Sequence, residues 1–133
     1  MIGGVAAVNP QGCMTRPIAY IHTADVSRLR PFYERVLGMK VAHADGDVIH
    51  GTIAGGPVRI ITVDGHKPNG MTVFGLETGD IAAFLSALKD KGVIAERWHR
   101  EQDSQGVWED PDGERIAWFR DPEGNMLSVV EAR

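Results

Sequence analysis

The chain repeats one order of predicted elements, in which a strand and a helix are followed by further strands. In the first half, residues 16–26 alternate with the period of a strand, and apolar residues then recur at helical spacing over 26–38. In the second half, residues 71–77 favour a strand and residues 78–92 an amphipathic helix. Two copies indicate an internal duplication rather than a solenoid. The helices are expected to pack on one face of the sheets, which leaves the other face to be covered or to form a pocket.

Local signals mark the ends of the helices. Asp25 or Ser27 can cap the first helix and Gly38 can end it, while Pro31 is expected to bend or delay it. Gly92 can end the second helix. The other strand-like segments are 40–44, 47–54 and 58–63 in the first half, and 93–99, 114–120 and 125–131 in the second.

The turn Asp-Pro-Glu-Gly near the end of the sequence fixes the register of the last hairpin. Pro122 suits the second position of a type I turn, and Gly124 suits the left-handed residue that completes the loop. Counting outward pairs Trp118 with Ser128, and directly opposed residues share a face. One face is then uniformly apolar, as expected beneath a helix: Ala117, Phe119, Leu127 and Val129. The other face combines large apolar side chains with polar groups, which is typical of a ligand pocket: Ile116, Trp118, Arg120, Met126, Ser128 and Val130.

Composition limits the classes of function. The 133 residues are the size of one domain, and the net charge of -4 provides no basic field to attract nucleic acid or anionic lipid. No apolar run is long enough to span a bilayer, and the one cysteine, Cys13, excludes a disulfide within the chain. Residues 1–15 are expected to form a flexible N-terminal extension that lacks the cationic start of a secretory signal. We therefore expect a cytoplasmic protein that binds neither nucleic acid nor membrane.

Three segments carry further motifs: "HTADVSRLRPFYERVLGMKV" at 22–41, "TGDIAAFLSALKDKGV" at 78–93 and "FRDPEGNMLSVVE" at 119–131. They resemble the signatures of the vicinal oxygen chelate superfamily, which includes glyoxalase I, extradiol dioxygenases, fosfomycin-resistance enzymes and bleomycin-resistance proteins. The resemblance implies an α+β fold, in which two βαβββ modules form a curved mixed sheet around a cavity. It places one domain at 16–133, with modules at about 16–65 and 70–131, and it implies a homodimer.

Metal-using members of that superfamily place four ligands, mostly His and Glu, on strand positions that face the cavity. The resemblance puts Ile18, approximately Ile60, Val73 and Ser128 at these positions. None supplies an imidazole or a carboxylate, and a serine hydroxyl alone is a poor ligand. This departure favours a protein without a metal cofactor. The alternative is a divalent metal on shifted ligands, drawn from His22, His50, Glu77 and His99.

Six residues are candidates for ligand binding: Tyr20, His22, Glu77, Trp118, Arg120 and Ser128. Trp118 can stack on a planar or cationic ligand, with core packing as its alternative role, and Trp108 can join it if 108–114 forms a short hairpin. Arg120 can pair with an anionic ligand or lie in water at the rim of the sheet, and Glu77 can bind a cation.

The histidines have competing interpretations. His22 shares the face of Tyr20 and is a weak candidate for a catalytic acid or base, or a carbonyl satisfies its ring. His50 can meet His22 across the sheet or lie on the surface, whereas His66 and His99 are expected near loops and in solvent. Glu131 falls on the face opposite Ser128 and is expected to be solvated.

These observations favour a metal-independent small-molecule-binding protein of the glyoxalase or bleomycin-resistance type, with an aromatic or cationic ligand. One alternative is an enzyme of the same superfamily, a metal-dependent lyase, isomerase or dioxygenase with shifted ligands. Another is a structural or regulatory dimer without a ligand.

Overall fold

The computed structural model describes residues 7–8 and 14–132, so most of the predicted flexible extension at 1–15 lies outside the described residues. Within it, strand β1 (Ala7–Val8) pairs antiparallel with β2 (Met14–Thr15). The chain divides into two compact units, Met1–Lys67 and Pro68–Arg133. Each unit contains a four-stranded mixed sheet and a helix in the order βαβββ, which confirms the predicted duplication and fold class.

The first unit builds its sheet in the order β3-β6-β5-β4, with β3 parallel to β6 and the other neighbours antiparallel. Its strands are Ala19–Thr23 (β3), Lys40–Ala44 (β4), Val48–Ile53 (β5) and Gly56–Thr62 (β6). Helix α1 (Val26–Arg35) begins after Asp25, whose carboxylate accepts a hydrogen bond from the Ser27 N–H at 3.0 Å. Pro31 lies inside the helix without delaying its start.

The first unit buries one face of its sheet beneath α1, which packs on β6. Helix residues Val26, Leu29 and Tyr33 are buried, so Tyr33 supplies the aromatic side chain of the core on this helix. On β3 the predicted alternation is confirmed, because Ile21 and Thr23 are buried while Tyr20 and His22 are exposed. The exposed sheet face therefore stays open in this unit.

The second unit has the sheet order β7-β10-β9-β8. Its strands are Thr72–Glu77 (β7), Trp108–Glu109 (β8), Arg115–Arg120 (β9) and Met126–Glu131 (β10), and its helix α2 is Ile81–Asp90. Glu131 was expected to be solvated, and this prediction is wrong. Its Oε1 accepts a hydrogen bond from the Ile81 N–H at 2.8 Å. The carboxylate thus satisfies a free donor at the start of α2. Within the described residues, no helix is long and apolar enough to cross a membrane.

The last hairpin has the predicted register, with Ser128 opposite Trp118 and Leu127 opposite Phe119. Gly124 adopts a φ of 96°, the left-handed conformation that the turn requires. The face predicted to be apolar is at most 1% exposed: Ala117, Phe119, Leu127 and Val129. The opposite face is more open, except that Met126 is fully buried.

The predicted strand at 93–99 is wrong, because residues 93–98 are irregular and the next strand of the second unit is β8. The Trp98 and His99 N–H groups donate to the side chain of Gln102 instead of to a neighbouring strand. Strand β8 pairs with β9, Trp108 opposite Ile116, as the short hairpin predicted for 108–114 requires.

Candidate functional site

Ser128 lies in the middle of the exposed sheet face of the second unit. It is flanked by Trp118 on β9 and by Gly75 on β7. A Cβ atom on Gly75 would lie 2.8 Å from the Ser128 Oγ, so the missing side chain leaves room for the hydroxyl to lean over this position. Within the described part of the chain, the hydroxyl makes no hydrogen bond. It is therefore available to a bound molecule.

Four rings gather on this face beside Ser128, and we call Trp98, His99, Trp108 and Trp118 the aromatic cluster. Trp98 stacks on Trp118, with ring centroids 5.3 Å apart and planes 17° apart. His99 stacks on Trp108 at 4.4 Å and 10°. The centroids of Trp108 and Trp118 are 6.3 Å apart, which joins the two stacked pairs. These separations are those of favourable aromatic contacts.

Residues 96–107, here called the 96–107 loop, carry Trp98 and His99 to this face. Gln102, which is 8% exposed, holds the loop from inside. Its Oε1 accepts hydrogen bonds from the N–H groups of Trp98 and His99, and its Nε2 donates to the carbonyls of Glu96 and Gly106. One buried amide thus satisfies four backbone groups that no strand partner reaches.

Two charged side chains hold the loop from outside. The Arg97 guanidinium donates to the carbonyls of Asp103 and Ser104 at 2.6 and 2.8 Å. The Asp103 carboxylate accepts from the Val107 N–H at 2.9 Å. The Glu96 N–H donates to the Trp118 carbonyl at 2.7 Å, which fixes the loop to the edge of β9. The loop is therefore built by side chains that bind backbone.

Arg120 and Glu77 are two sequence-predicted site residues whose described contacts are with groups outside the aromatic cluster. The Arg120 Nε donates to Glu96 Oε1 at 3.2 Å, and its Nη1 donates to the Gly124 carbonyl. Arg120 therefore supports the base of the 96–107 loop. Glu77 is exposed at the end of β7, beside Val130 on the face of Ser128. Its carboxylate is open to a cation on that face.

The other two candidates, Tyr20 and His22, lie in the first unit, on the exposed face of β3. Tyr20 is 48% exposed. The ring of His22 contacts His66 at 5.9 Å, so His66 is half-buried rather than in solvent. Of the two interpretations of His50, the contact with His22 is wrong, because β6 lies between their strands and His50 contacts His43 at 5.6 Å.

A second group of polar residues lies on this face of the first unit. Tyr20, Arg59 and His50 are direct neighbours on β3, β6 and β5. This row of three side chains ends near Asp45. Hydrogen bonds from the Asp47 and Val48 N–H groups hold the pKa of the Asp45 carboxyl below its usual value. The charges of nearby histidines lower this pKa further.

The four positions of a superfamily metal site do not fit a metal ion. Ile18 and Val73 are exposed apolar side chains, and Ser128 offers one hydroxyl. Ile60 is fully buried on the helix side of β6, so Arg59 and Ile61 occupy the exposed face there. In residues 7–8 and 14–132, no three His, Cys, Asp or Glu side chains form a group that could hold an ion.

Sequence reasoning missed Trp98, Gln102 and Arg59, and it placed His99 in solvent. Trp98 and His99 fell in a segment whose alternation predicted a strand, and nothing in that pattern shows that a glutamine side chain binds their N–H groups. Arg59 was missed because the phase of β6 was set one residue away, at Ile60.

Comparisons with known proteins agree with this architecture. A sequence model described as Glyoxalase/Bleomycin resistance protein/Dioxygenase superfamily matches residues 17–129. A search of the curated proteins finds no match.

Several solved structures share the fold. A bleomycin resistance determinant encoded on the transposon Tn5 has a TM-score of 0.69 and 19% identity, over 88% of this chain and 97% of that one. TnmS3, an antibiotic binding protein from Streptomyces sp. CB03234, has a TM-score of 0.67 and 20% identity, over 87% and 93%. Lactoylglutathione lyase from Agrobacterium tumefaciens has a TM-score of 0.66 and 18% identity, over 86% and 91%. At these identities the likeness establishes the fold alone.

Proposed function

Because the chain belongs to the Glyoxalase/Bleomycin resistance protein/Dioxygenase superfamily, we propose that it is a small-molecule-binding protein that works without a metal ion. The ligand is a planar aromatic molecule, preferably one with a positive charge, and it binds on the exposed sheet face of the second unit. The observation that carries the proposal is the aromatic cluster beside the open hydroxyl of Ser128. The homodimer implied by the resemblance stays a prediction.

The outer ring of the aromatic cluster supports stacking of a ligand. Trp98 is 47% exposed although its inner face already stacks on Trp118. Covering an exposed indole removes apolar surface from water, which stabilises the complex by about 25 cal/mol for each Å² of apolar surface buried. A planar ligand on Trp98 would extend a stack that the 96–107 loop already holds in place, so little ordering cost accompanies binding.

The indole faces and two polar groups on the same sheet face support the preference for a cation. Indole faces attract a positive charge by about 0.5–2 kcal/mol, depending on desolvation. Glu77 adds an exposed carboxylate on the same face, one strand beyond Ser128. The Ser128 hydroxyl can donate or accept one hydrogen bond and thereby orient the ligand.

The metal-independent part of the proposal rests on the chemistry of the four superfamily positions. Two isoleucines, a valine and a serine provide neither the carboxylates nor the imidazoles that divalent metals take in proteins. The alternative, a metal-dependent enzyme with shifted ligands, draws those ligands from His22, His50, Glu77 and His99, with His22 and His50 as its main pair. The rings of His22 and His50 contact different histidines, and β6 lies between their strands, so this pair does not share an ion.

Intrinsic fluorescence tests the proposal directly, because all three tryptophans of the chain belong to the aromatic cluster. The probe is N-methylquinolinium, a planar aromatic cation, and quinoline at neutral pH is its uncharged counterpart. We expect saturable quenching by both, with the cation bound more tightly. Trp98→Leu and Ser128→Ala should each weaken binding of the cation, the first by about tenfold, or about 1.4 kcal/mol.

A matched control separates this face from the core. Phe84 packs on Phe119, on the helix side of the same sheet, so Phe84→Leu should leave the affinity for N-methylquinolinium unchanged. Binding should also survive treatment with a chelator. Loss of binding on chelation, with recovery when a divalent metal is added, would contradict the proposal and favour the metal-dependent alternative. Linear, unsaturable quenching would contradict both.

A further inference from the structure

A cavity of about 220 Å³ lies on the exposed sheet face of the first unit. Its lining combines cationic, hydroxyl and apolar side chains, the main ones being Arg16, Ile18, His50, Thr52, Pro57 and Arg59. No residue of the aromatic cluster takes part. The cavity is therefore a candidate site of the first unit, with its own chemistry.

Strand register places the functional groups of this cavity side by side. Arg59 on β6 is the direct neighbour of Tyr20 on β3 and of His50 on β5. Directly opposed side chains in a sheet have their Cβ atoms about 4.5–5.5 Å apart. Arg59 and His50, which both line the cavity, can therefore point hydrogen-bond donors at one ligand group, while Tyr20 lies beside Arg59 outside the lining.

The guanidinium groups of this cavity have no acidic partner. Among the described residues, neither Arg16 nor Arg59 forms an ion pair, and Arg59 is half-buried. The carboxylate nearest to the end of the row, Asp45, already accepts the N–H groups of Asp47 and Val48. A half-buried cation without a counter-ion favours an incoming anion, because burial weakens the screening by water.

We propose that this cavity binds the oxyanion of an organic ligand, a carboxylate or a phosphoryl group, through Arg59, Arg16 and His50. The planar fork of arginine matches both oxyanions with paired hydrogen bonds, which a lysine cannot form. Ile18 and Pro57 supply an apolar wall for the body of the ligand. This site does not depend on the proposed function of the aromatic cluster, which prefers the opposite charge.

Calorimetric titration at low ionic strength tests the inference with three probes: cyclohexanecarboxylate, its neutral amide and inorganic phosphate. None of them is aromatic, so the aromatic cluster does not compete for them. We expect at least one of the two anions to bind with a Kd of about 1 mM or tighter, and the amide to bind at least tenfold more weakly. Arg59→Gln should weaken binding of the anion by about tenfold, and Arg16→Gln should weaken it by a smaller factor.

The control variant is Arg35→Gln, which removes the same charge from the exposed last turn of α1 and should leave binding unchanged. Trp98→Leu should also leave it unchanged, which separates this site from that of the aromatic cluster. A preference for phosphate assigns the phosphoryl class, and a preference for the carboxylate assigns the carboxylate class. The inference is overturned if neither anion binds at about 10 mM, if the amide binds equally well, or if Arg35→Gln weakens binding as much as Arg59→Gln.

Discussion

The two units share one order of strands and helix but differ in the segment that follows the helix. In the first unit, residues 36–39 join α1 directly to β4. In the second, residues 91–107 separate α2 from β8. The longer connection brings Trp98 and His99 onto the exposed sheet face, where the first unit presents Arg59 and His50. The same plan therefore carries an aromatic face in one copy and a cationic face in the other.

This difference shows where a duplicated fold can acquire separate chemistry. The buried faces of both sheets are apolar and packed under a helix, so they tolerate little change. The exposed faces and the connections are not bound by that constraint, and loops on a rigid scaffold commonly carry function. In this protein the 96–107 loop is the largest departure from the repeat, and one buried glutamine holds it.

The largest expected effect comes from replacing that glutamine. Gln102→Leu keeps most of the side-chain volume but leaves two N–H groups and two carbonyls without their partner. At about 1 kcal/mol for each lost hydrogen bond, the free energy of unfolding should fall by about 3–4 kcal/mol. Urea denaturation measures the loss, and tryptophan emission should shift to the red as Trp98 leaves its stack on Trp118.

Gln105 provides the matched control on the same loop. Its Nε2 donates to the Ala82 carbonyl at 3.1 Å and to the Ser86 Oγ at 3.3 Å, and it accounts for none of the contacts around Trp98. Gln105→Leu should therefore cost less than half as much and leave the emission maximum in place. If both variants lowered the free energy of unfolding equally, the prediction would be contradicted, because Gln102 would then stabilise the loop no more than Gln105 does.

The hairpin between β5 and β6 in the first unit offers a second test, with a smaller expected effect. The loop between β5 and β6 consists of Ala54 and Gly55, with φ of 51° and 81°, as in a type I′ turn. Asparagine tolerates that conformation better than alanine does. Ala54→Asn should raise the free energy of unfolding by about 0.5–1 kcal/mol, measured by urea denaturation. The β-branched control Ala54→Val should lower it; stabilisation by valine would show that φ does not limit this turn.

The sequence was sufficient for features set by local chemistry. The Asp-Pro-Glu-Gly turn allowed the register of the last hairpin to be counted, and that placed Ser128 opposite Trp118 correctly. Alternation on β3 correctly separated the exposed Tyr20 and His22 from the buried residues between and after them. These features depend on neighbours in the sequence, so they can be read without the structure.

Features set by side chains that bind backbone groups outside a regular strand or helix could not be read in the same way. The segment at 93–99 has strand-like residues, yet Gln102 captures its N–H groups. Glu131 has the position of a surface residue at the end of a strand, yet it binds the first N–H of α2, fifty positions away along the chain. Hydrophobic periodicity carries no information on such contacts, so the aromatic cluster was only half foreseen, through Trp108 and Trp118.

The smallest expected effect concerns pH and compares the caps of the two helices. Asp25 accepts hydrogen bonds from the hydroxyl and the N–H of Ser27, and these bonds hold its pKa below the usual 3.8. Asp80 accepts from the Ala83 N–H. Because the pKa of Asp25 is lower in the folded state, its contribution is fully present above about pH 3.8 and is lost as the pH falls through the folded value.

Asp25→Asn keeps a capping oxygen but removes the titration, so the urea midpoint of this variant should fall less between pH 5 and pH 2.5 than that of the parent chain. Asp64→Asn removes an exposed carboxylate outside the cap and should leave the parent's pH dependence nearly intact. Asp80→Asn is the matched change in the second helix, where, among the described residues, no hydroxyl donates to the capping carboxylate. A change as large as that of Asp25→Asn would show that the Ser27 hydroxyl, the feature that distinguishes the two caps, does not cause the pH response.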